Sequence, residues 1–303
     1  MRTARSSRRT RALTALLAAV AAVGIVAGTP VSAGAAGGSL TVGAKNFSGA
    51  SVISQLWAQA LQKKGYSITF RDNLGATEIV YPALKNGDID AYGDYQGTLL
   101  TFLGGQPTGN TQSTYKALTA KLAGTGIVAS TPAPAVDVNG FYVMAKTAQK
   151  YHLKTLSDVA KVASKLTFGG PQECQARPLC LGSTEQGLYG LQFKEVRKLD
   201  AGGPITTSAL SNGDIDVGLL FTGSSVLPKG AVLLTDNKGL QPADNPVFLV
   251  RKAKATSALL AVVNAVSAKL TTAAYSRLTL EVQNQKLDPA AVAGQFLKQN
   301  HLA

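Results

Sequence analysis

The sequence predicts an α/β protein of two similar lobes that face each other across a ligand cleft. The first observation behind this is a repeat. Residues 83–98 read ALKNGDIDAYGDYQGT and residues 209–224 read ALSNGDIDVGLLFTGS, an offset of 126 positions. In each copy a helix ends at Ala-Leu-x-Asn, and Gly87 or Gly213 supplies the left-handed residue that caps it. A short strand starts at Asp-Ile-Asp and runs on through residues too apolar for an exposed edge. It ends in an aromatic and a flexible turn, Tyr95-Gln96-Gly97-Thr98 or Phe221-Thr222-Gly223-Ser224. The second observation is the alternation of short apolar strands with amphipathic helices along the rest of the chain. The third is a pair of breaks, one rich in proline at 131–135 and one in Gly, Pro, Asn and Asp at 236–245, where the chain can cross between lobes. Ligands in open α/β sheets bind beyond the carboxyl ends of strands. Two equivalent strand ends therefore set Tyr95 and Phe221 on opposite walls.

Residues 1–38 stand apart from this fold. Arg2, Arg5, Arg8, Arg9 and Arg11 precede an apolar run over 12–27, and small-x-small cleavage sites follow at Val31-Ser32-Ala33 and Ala33-Gly34-Ala35. This reads as an export signal, since the apolar run is short for a membrane span. Ser7-Arg8-Arg9 lacks the Phe-Leu of a twin-arginine signal, which favours ordinary secretion. No cysteine stands near the cleavage sites, so no lipid anchor is expected. The five arginines account for five of the thirteen net positive charges. The remainder is dispersed, as in Lys63-Lys64 and Arg251-Lys252, with no basic stripe interleaved with aromatics. Nucleic acid is accordingly not expected as a partner, and a monomeric exported protein is. Cys174 and Cys180 are the only cysteines, an even number in an exported chain, which predicts one disulfide closing a small loop. With His152 and His301 the only histidines, no metal site and no cofactor are expected.

In order, a strand at 39–44 leads to a helix capped by Ser48 or Ser51. Ile53, Leu56, Trp57, Ala60 and Leu61 recur at helical spacing on its buried face, and Gly65 ends it. A strand follows at 66–71, then a helix capped by Thr77, in which Pro82 must fall in the first turn or make a kink. After the first repeat copy come a helix at 115–122, stopped at Gly124, and a strand at 127–129. The second lobe opens with a strand at 140–145, a helix at 155–163 capped by Ser157, and a strand at 166–169. The cysteine loop, a helix over 184–189, a strand at 196–199 and the second repeat copy complete it. A strand at 231–234 precedes the return crossing, and a strand at 247–250 rejoins the first lobe. Leu259, Val262, Val263, Val266 and Leu270 mark a long helix, and Asp288-Pro289 opens the last one. Lobe one thus takes residues 39–137 and 241–303, and lobe two residues 138–240.

Catalytic groups do not converge. No histidine adjoins a candidate nucleophile, Gly223-Ser224-Ser225 lacks the nucleophile-elbow pattern, and no phosphate-cradling loop is present. The Asp-Ile-Asp pairs begin their strands, away from the ligand-facing end, and read as strand-start and capping residues. An enzyme is not expected. What the cleft offers is aromatics: Phe47, Tyr95, Phe141 and Phe221, each near a strand end or turn. Ring faces attract a quaternary ammonium at about 0.5–2 kcal/mol per contact. Such a cation has no N–H to donate, so rings suit it better than hydrogen-bonding groups. Taken singly, each ring is equally consistent with ordinary core packing.

Several motifs carry a family resemblance. They are Ala44-Lys45-Asn46-Phe47, Asn73-Leu74-Gly75, the segment 82–90, Tyr95-Gln96-Gly97-Thr98 and Lys154-Thr155-Leu156-Ser157-Asp158. Residues 199–204 and 236–240 extend them into the second lobe. Over nearly the whole mature chain, the sequence resembles the substrate-binding subunits of osmoprotectant (glycine betaine/choline/carnitine) ABC transporters. The resemblance implies a type II periplasmic-binding-protein fold, a small quaternary-ammonium solute between the lobes, and an ABC permease as partner. By position it implies that Tyr95 belongs to an aromatic cage and that Thr98 lines the pocket. Phe47 matches the aromatic after Lys-Asn, Asn139 and Phe141 match the residues opening lobe two, and Phe221, with Thr222 beside it, matches the second ring. Two departures stand out. The family's usual Pro-Glu-Tyr is Gly93-Asp94-Tyr95, and residues 241–245 lack a tyrosine that choline and betaine binders often place there. Asp244 or Asn245 in that stretch implies a more polar ligand end. The alternatives are a different polar or aromatic solute in the same cleft, or an exported enzyme built around Ser224.

Overall fold

A computed structural model describes residues 37–182, 188–223 and 226–302. The first half runs β1 (Ser39–Gly43), α1 (Ser48–Lys63), β2 (Ser67–Arg71), α2 (Thr77–Asn86), β3 (Ala91–Tyr95), α3 (Gln96–Phe102), α4 (Thr111–Leu122) and β4 (Ile127–Ala129). The second lobe follows with β5 (Asn139–Met144), α5 (Ala145–Tyr151), α6 (Leu156–Ala160), β6 (Thr167–Gly170), β7 (Glu195–Lys198), α7 (Pro204–Asn212), β8 (Val217–Phe221) and β9 (Ala231–Leu233). The chain then returns as β10 (Pro246–Arg251), α8 (Ser257–Lys269), α9 (Thr272–Gln285) and α10 (Pro289–Gln299).

Two five-stranded sheets result, ordered β2-β1-β3-β10-β4 and β7-β6-β8-β5-β9. In each, four strands run one way and one runs against them, a strand that comes from beyond a crossing: β10 between β3 and β4, and β5 between β8 and β9. The repeat is visible in atomic detail. The Asp90 backbone N–H donates to Thr41 O at 2.8 Å, and Asp90 Oδ2 accepts from Thr41 N at 2.9 Å. Asp216 and Thr167 make the same pair at the same distances. The second aspartate of each Asp-Ile-Asp thus ties its strand to the neighbouring one, and the regular strand begins one residue later. Gly87 and Gly213 cap their helices at φ 87° and 82°, as the repeat predicted.

Several local expectations need correction. Phe47, not a serine, occupies the N-cap of α1, and Ser51 instead donates to Asp72 at 2.7 Å. Thr77 lies inside α2, where its hydroxyl is drawn to Asp94, and Thr155 with Asp158 forms the capping box of α6 in place of Ser157. Pro82 sits past the first turn of α2, on its exposed side. The flexible turn expected after Tyr95 is the start of α3. Its first N–H groups find acceptors across the crossing, Gln96 N at Asn245 O and Gly97 N and Thr98 N at Asp244 Oδ1. The helix expected over 184–189 lies largely outside the described residues. Trp57 is fully buried against Phe248, with its indole N–H on Ser267.

Candidate functional site

Tyr95 is the last residue of β3 and Phe221 the last of β8, so the two sheets bring these rings to one interlobe cavity. Phe47 stands between them. Its ring stacks on Tyr95 at 5.9 Å between centroids and meets Phe221 at 5.2 Å. Thr98, Asn139 and Asp244 complete the expected residues that line the cavity. The cleft is narrow: about 40 Å³ admits the centre of a water-sized sphere, room for roughly three waters.

Beneath the rings lies a buried ion pair. Asp94 accepts from Lys45 Nζ at 2.8 Å, from the Tyr92 hydroxyl at 2.6 Å, from the Thr77 hydroxyl at 3.1 Å and from Tyr95 N at 2.8 Å. The Lys45 ammonium sits 5.7 Å from the Phe47 centroid and 5.3 Å from that of Tyr95, so the protein places a cation of its own against both rings. Tyr95 is anchored at its far end. Its hydroxyl lies 2.6 Å from that of Tyr275, which donates to Asp137 Oδ2 at 3.1 Å, while Asp137 Oδ1 accepts from Gly223 N. Burial, with Tyr275, Asp137 and Asp244 nearby, pushes the Tyr95 phenol well up. Burial likewise raises Asp244 to about 6, against the hydrogen bonds it accepts from Thr98.

A second ion pair spans the lobes. Arg177 donates to Glu78 through Nε at 2.9 Å and Nη2 at 2.7 Å, a two-pronged contact. Burial opposes both charges, yet each partner outweighs it: Glu78 is held below its ordinary range and Arg177 above. Arg177 projects from the loop closed by the Cys174–Cys180 disulfide, and both cysteines line the cavity.

Three expected site residues lie elsewhere. Phe141 points into the second-lobe core, 5.9 Å from Phe168, because β5 turns that face inward. Thr222 is exposed past the end of β8 and accepts from Val138 N. Asn245 is buried between the crossings. Its Nδ2 donates to Ala133 O and Ala135 O, and its Oδ1 accepts from Gln96 and Thr111. Conversely, Lys45, Asp137, Glu173 and Arg177 line the cavity without having been singled out by sequence. Lys45 stood inside the Ala-Lys-Asn-Phe motif and Arg177 midway between the cysteines. Tyr275 lies on α9, whose sparse apolar face left no periodic signal.

Comparison with known proteins identifies the family and the fold. The chain is 26% identical over 284 residues to the carnitine transport binding protein OpuCC of Listeria monocytogenes, covering 90% of each. It is 26% identical over 282 residues to a glycine-betaine-binding protein of Pseudomonas aeruginosa, covering 87% of this chain and 88% of that one. Among solved structures, a glycine betaine/carnitine/choline ABC transporter protein superposes with a TM-score of 0.66 at 25% identity, over 87% of this chain and 99% of the other. A choline binding protein in complex with choline gives 0.65 at 16% identity, over 87% and 89%. These are periplasmic binding proteins of the two-lobed type II fold, and this chain shares it. The profile for the substrate binding domain of ABC-type glycine betaine transport systems matches residues 38–299, and the chain belongs to that family.

Proposed function

We propose that this protein holds a small quaternary-ammonium compatible solute between its lobes, outside the cytoplasm, and delivers it to the permease of an ABC importer. One observation carries the reading. Phe47, Tyr95 and Phe221, drawn from both lobes, converge on a single cavity rimmed by carboxylates. Ring faces and negative charge are what an N–H-free cation needs, and the named relatives bind betaine, carnitine or choline. A thermal-shift screen with glycine betaine, choline, carnitine and proline tests it. A solute at a hundred times its Kd adds about 2.7 kcal/mol of stability. A melting temperature unmoved by every quaternary ammonium would overturn the reading.

A further inference from the structure

The balance of charge in the cavity points further, resting on the reading above. Two cations face the space, and each is already closed on a carboxylate: Lys45 on Asp94 at 2.8 Å, and Arg177 on Glu78 at 2.7 Å and 2.9 Å. A ligand carboxylate would therefore arrive as a second anion on either one. Three more acids line the same cavity. Asp137 accepts from Gly223 N and the Tyr275 hydroxyl, and Asp244 from Gly97 N, Thr98 N and the Thr98 hydroxyl. The donors to Asp244 are neutral and do not cancel its charge. Glu173 goes further. It lies half-buried in the turn Gln172–Gln175, and among the described residues its carboxylate makes no direct hydrogen bond or ion pair, acting only at longer range on Arg177, which Glu78 already holds. The cavity thus holds more negative charge than positive, with one acid left over at the wall.

We infer that the site is built for a quaternary-ammonium cation carrying a neutral tail, a choline-type amino alcohol, in preference to a zwitterion, and that Glu173 is the counter-ion that sets this preference. A cation with a hydroxyl tail fills the ring cluster and neutralises the surplus. A betaine brings equal charge of both signs and sets its carboxylate against Glu173, Asp137 and Asp244, where little water screens it. Glu173 is half-buried, and Glu173→Gln keeps its shape while removing its charge.

Isothermal titration calorimetry with choline and with glycine betaine tests the inference. On the unmodified protein choline should bind at least tenfold tighter. Glu173→Gln should weaken choline about tenfold while leaving glycine betaine unchanged or tighter, so that the ratio collapses. Glu78→Gln, which frees the charge of Arg177, should tighten glycine betaine and not choline. Melting of each variant without ligand reports on folding independently. Equal or tighter binding of glycine betaine to the unmodified protein overturns the inference alone, as does a Glu173→Gln variant that loses both ligands in proportion. Absence of binding by both compounds overturns the inference, and the reading beneath it falls as well only if carnitine also leaves the melting temperature unmoved.

Discussion

The hydroxyl of Tyr95 lies 2.6 Å from the hydroxyl of Tyr275, so a ring that faces the cleft is also tied into the first lobe. Tyr95 is only 4% exposed, whereas Phe221 is half-buried and has no hydroxyl to hydrogen-bond. The two rings should therefore respond differently. Phe221→Ala is expected to weaken ligand binding by about 1–3 kcal/mol with little change in melting temperature. Tyr95→Ala should lower both. Tyr95→Phe keeps the ring and drops the hydrogen bond, so stability should fall by about 1 kcal/mol while affinity holds within a few-fold. Calorimetric binding and melting on the three variants check this. Equal behaviour of Tyr95→Ala and Phe221→Ala would defeat the distinction.

Gly93 lies against the side chains of Trp57 and Ser54, which leave little room for one of its own. A Cβ at this position would come within 2.8 Å of Trp57 Cζ3 and 3.0 Å of Ser54 Oγ. Both belong to the buried face of α1. Gly93→Ala should cost about 1–3 kcal/mol by overpacking. Restoring the space with Gly93→Ala and Trp57→Phe together should recover part of the loss. Chemical denaturation of the single and double variants measures both, and an additive double variant would contradict the steric account.

Asp244 should leave a mark on the pH dependence of stability. Folded, it titrates near 6 because of burial, above its ordinary value of 3.8. Between those limits the folded state keeps a proton that the unfolded chain has released. Its contribution to stability therefore falls as pH rises from about 4 to about 6, on the order of 3 kcal/mol in all. Glu78 and Asp236, held below their ordinary range, act in the opposite sense, so a difference is needed. The stability of the unmodified protein minus that of Asp244→Asn should decline across this window and be level above it. A level difference throughout would contradict the raised value.

The disulfide ties Cys174 to Cys180 across a Cα–Cα distance of 5.2 Å and carries Arg177 between them. Thiol labelling of the unfolded, unreduced protein should find no reactive cysteine, and two would refute the bond. Replacing both cysteines by serine should cost about 2 kcal/mol of stability by loop entropy. It should also speed ligand release, because the loop that holds the Arg177–Glu78 contact is loosened. Stopped-flow dissociation separates this effect from the change in melting.

Much of the fold was legible because its signals are local. The Asn-Gly helix stops, the Asp288-Pro289 start and the apolar strands all declare themselves within a few residues. The repeat placed Tyr95 and Phe221 correctly at two strand ends for the same reason. What was hidden depends on partners distant in sequence. α3 begins at Gln96 only because Asp244, far along the chain, accepts its first N–H groups. Phe141 and Asn245 looked like cleft residues, and only the facing of β5 and the contacts of the crossings show otherwise. Lys45 and Arg177 were overlooked because a lone cation in sequence gives no hint of Asp94 or Glu78 across the cavity.

The position of β10 has a bearing on assembly. The strands of the second sheet all lie within residues 139–233, whereas the first sheet takes β10, residues 246–251, between β3 and β4. A chain emerging from its N-terminus can complete the second sheet while the first still waits for a strand well over a hundred residues downstream. Long-range pairing of this kind is slow, since loop closure precedes any reward in contacts. The half of the protein that is made first is thus the last to finish folding, and until then it presents two unpaired strand edges to whatever escorts it.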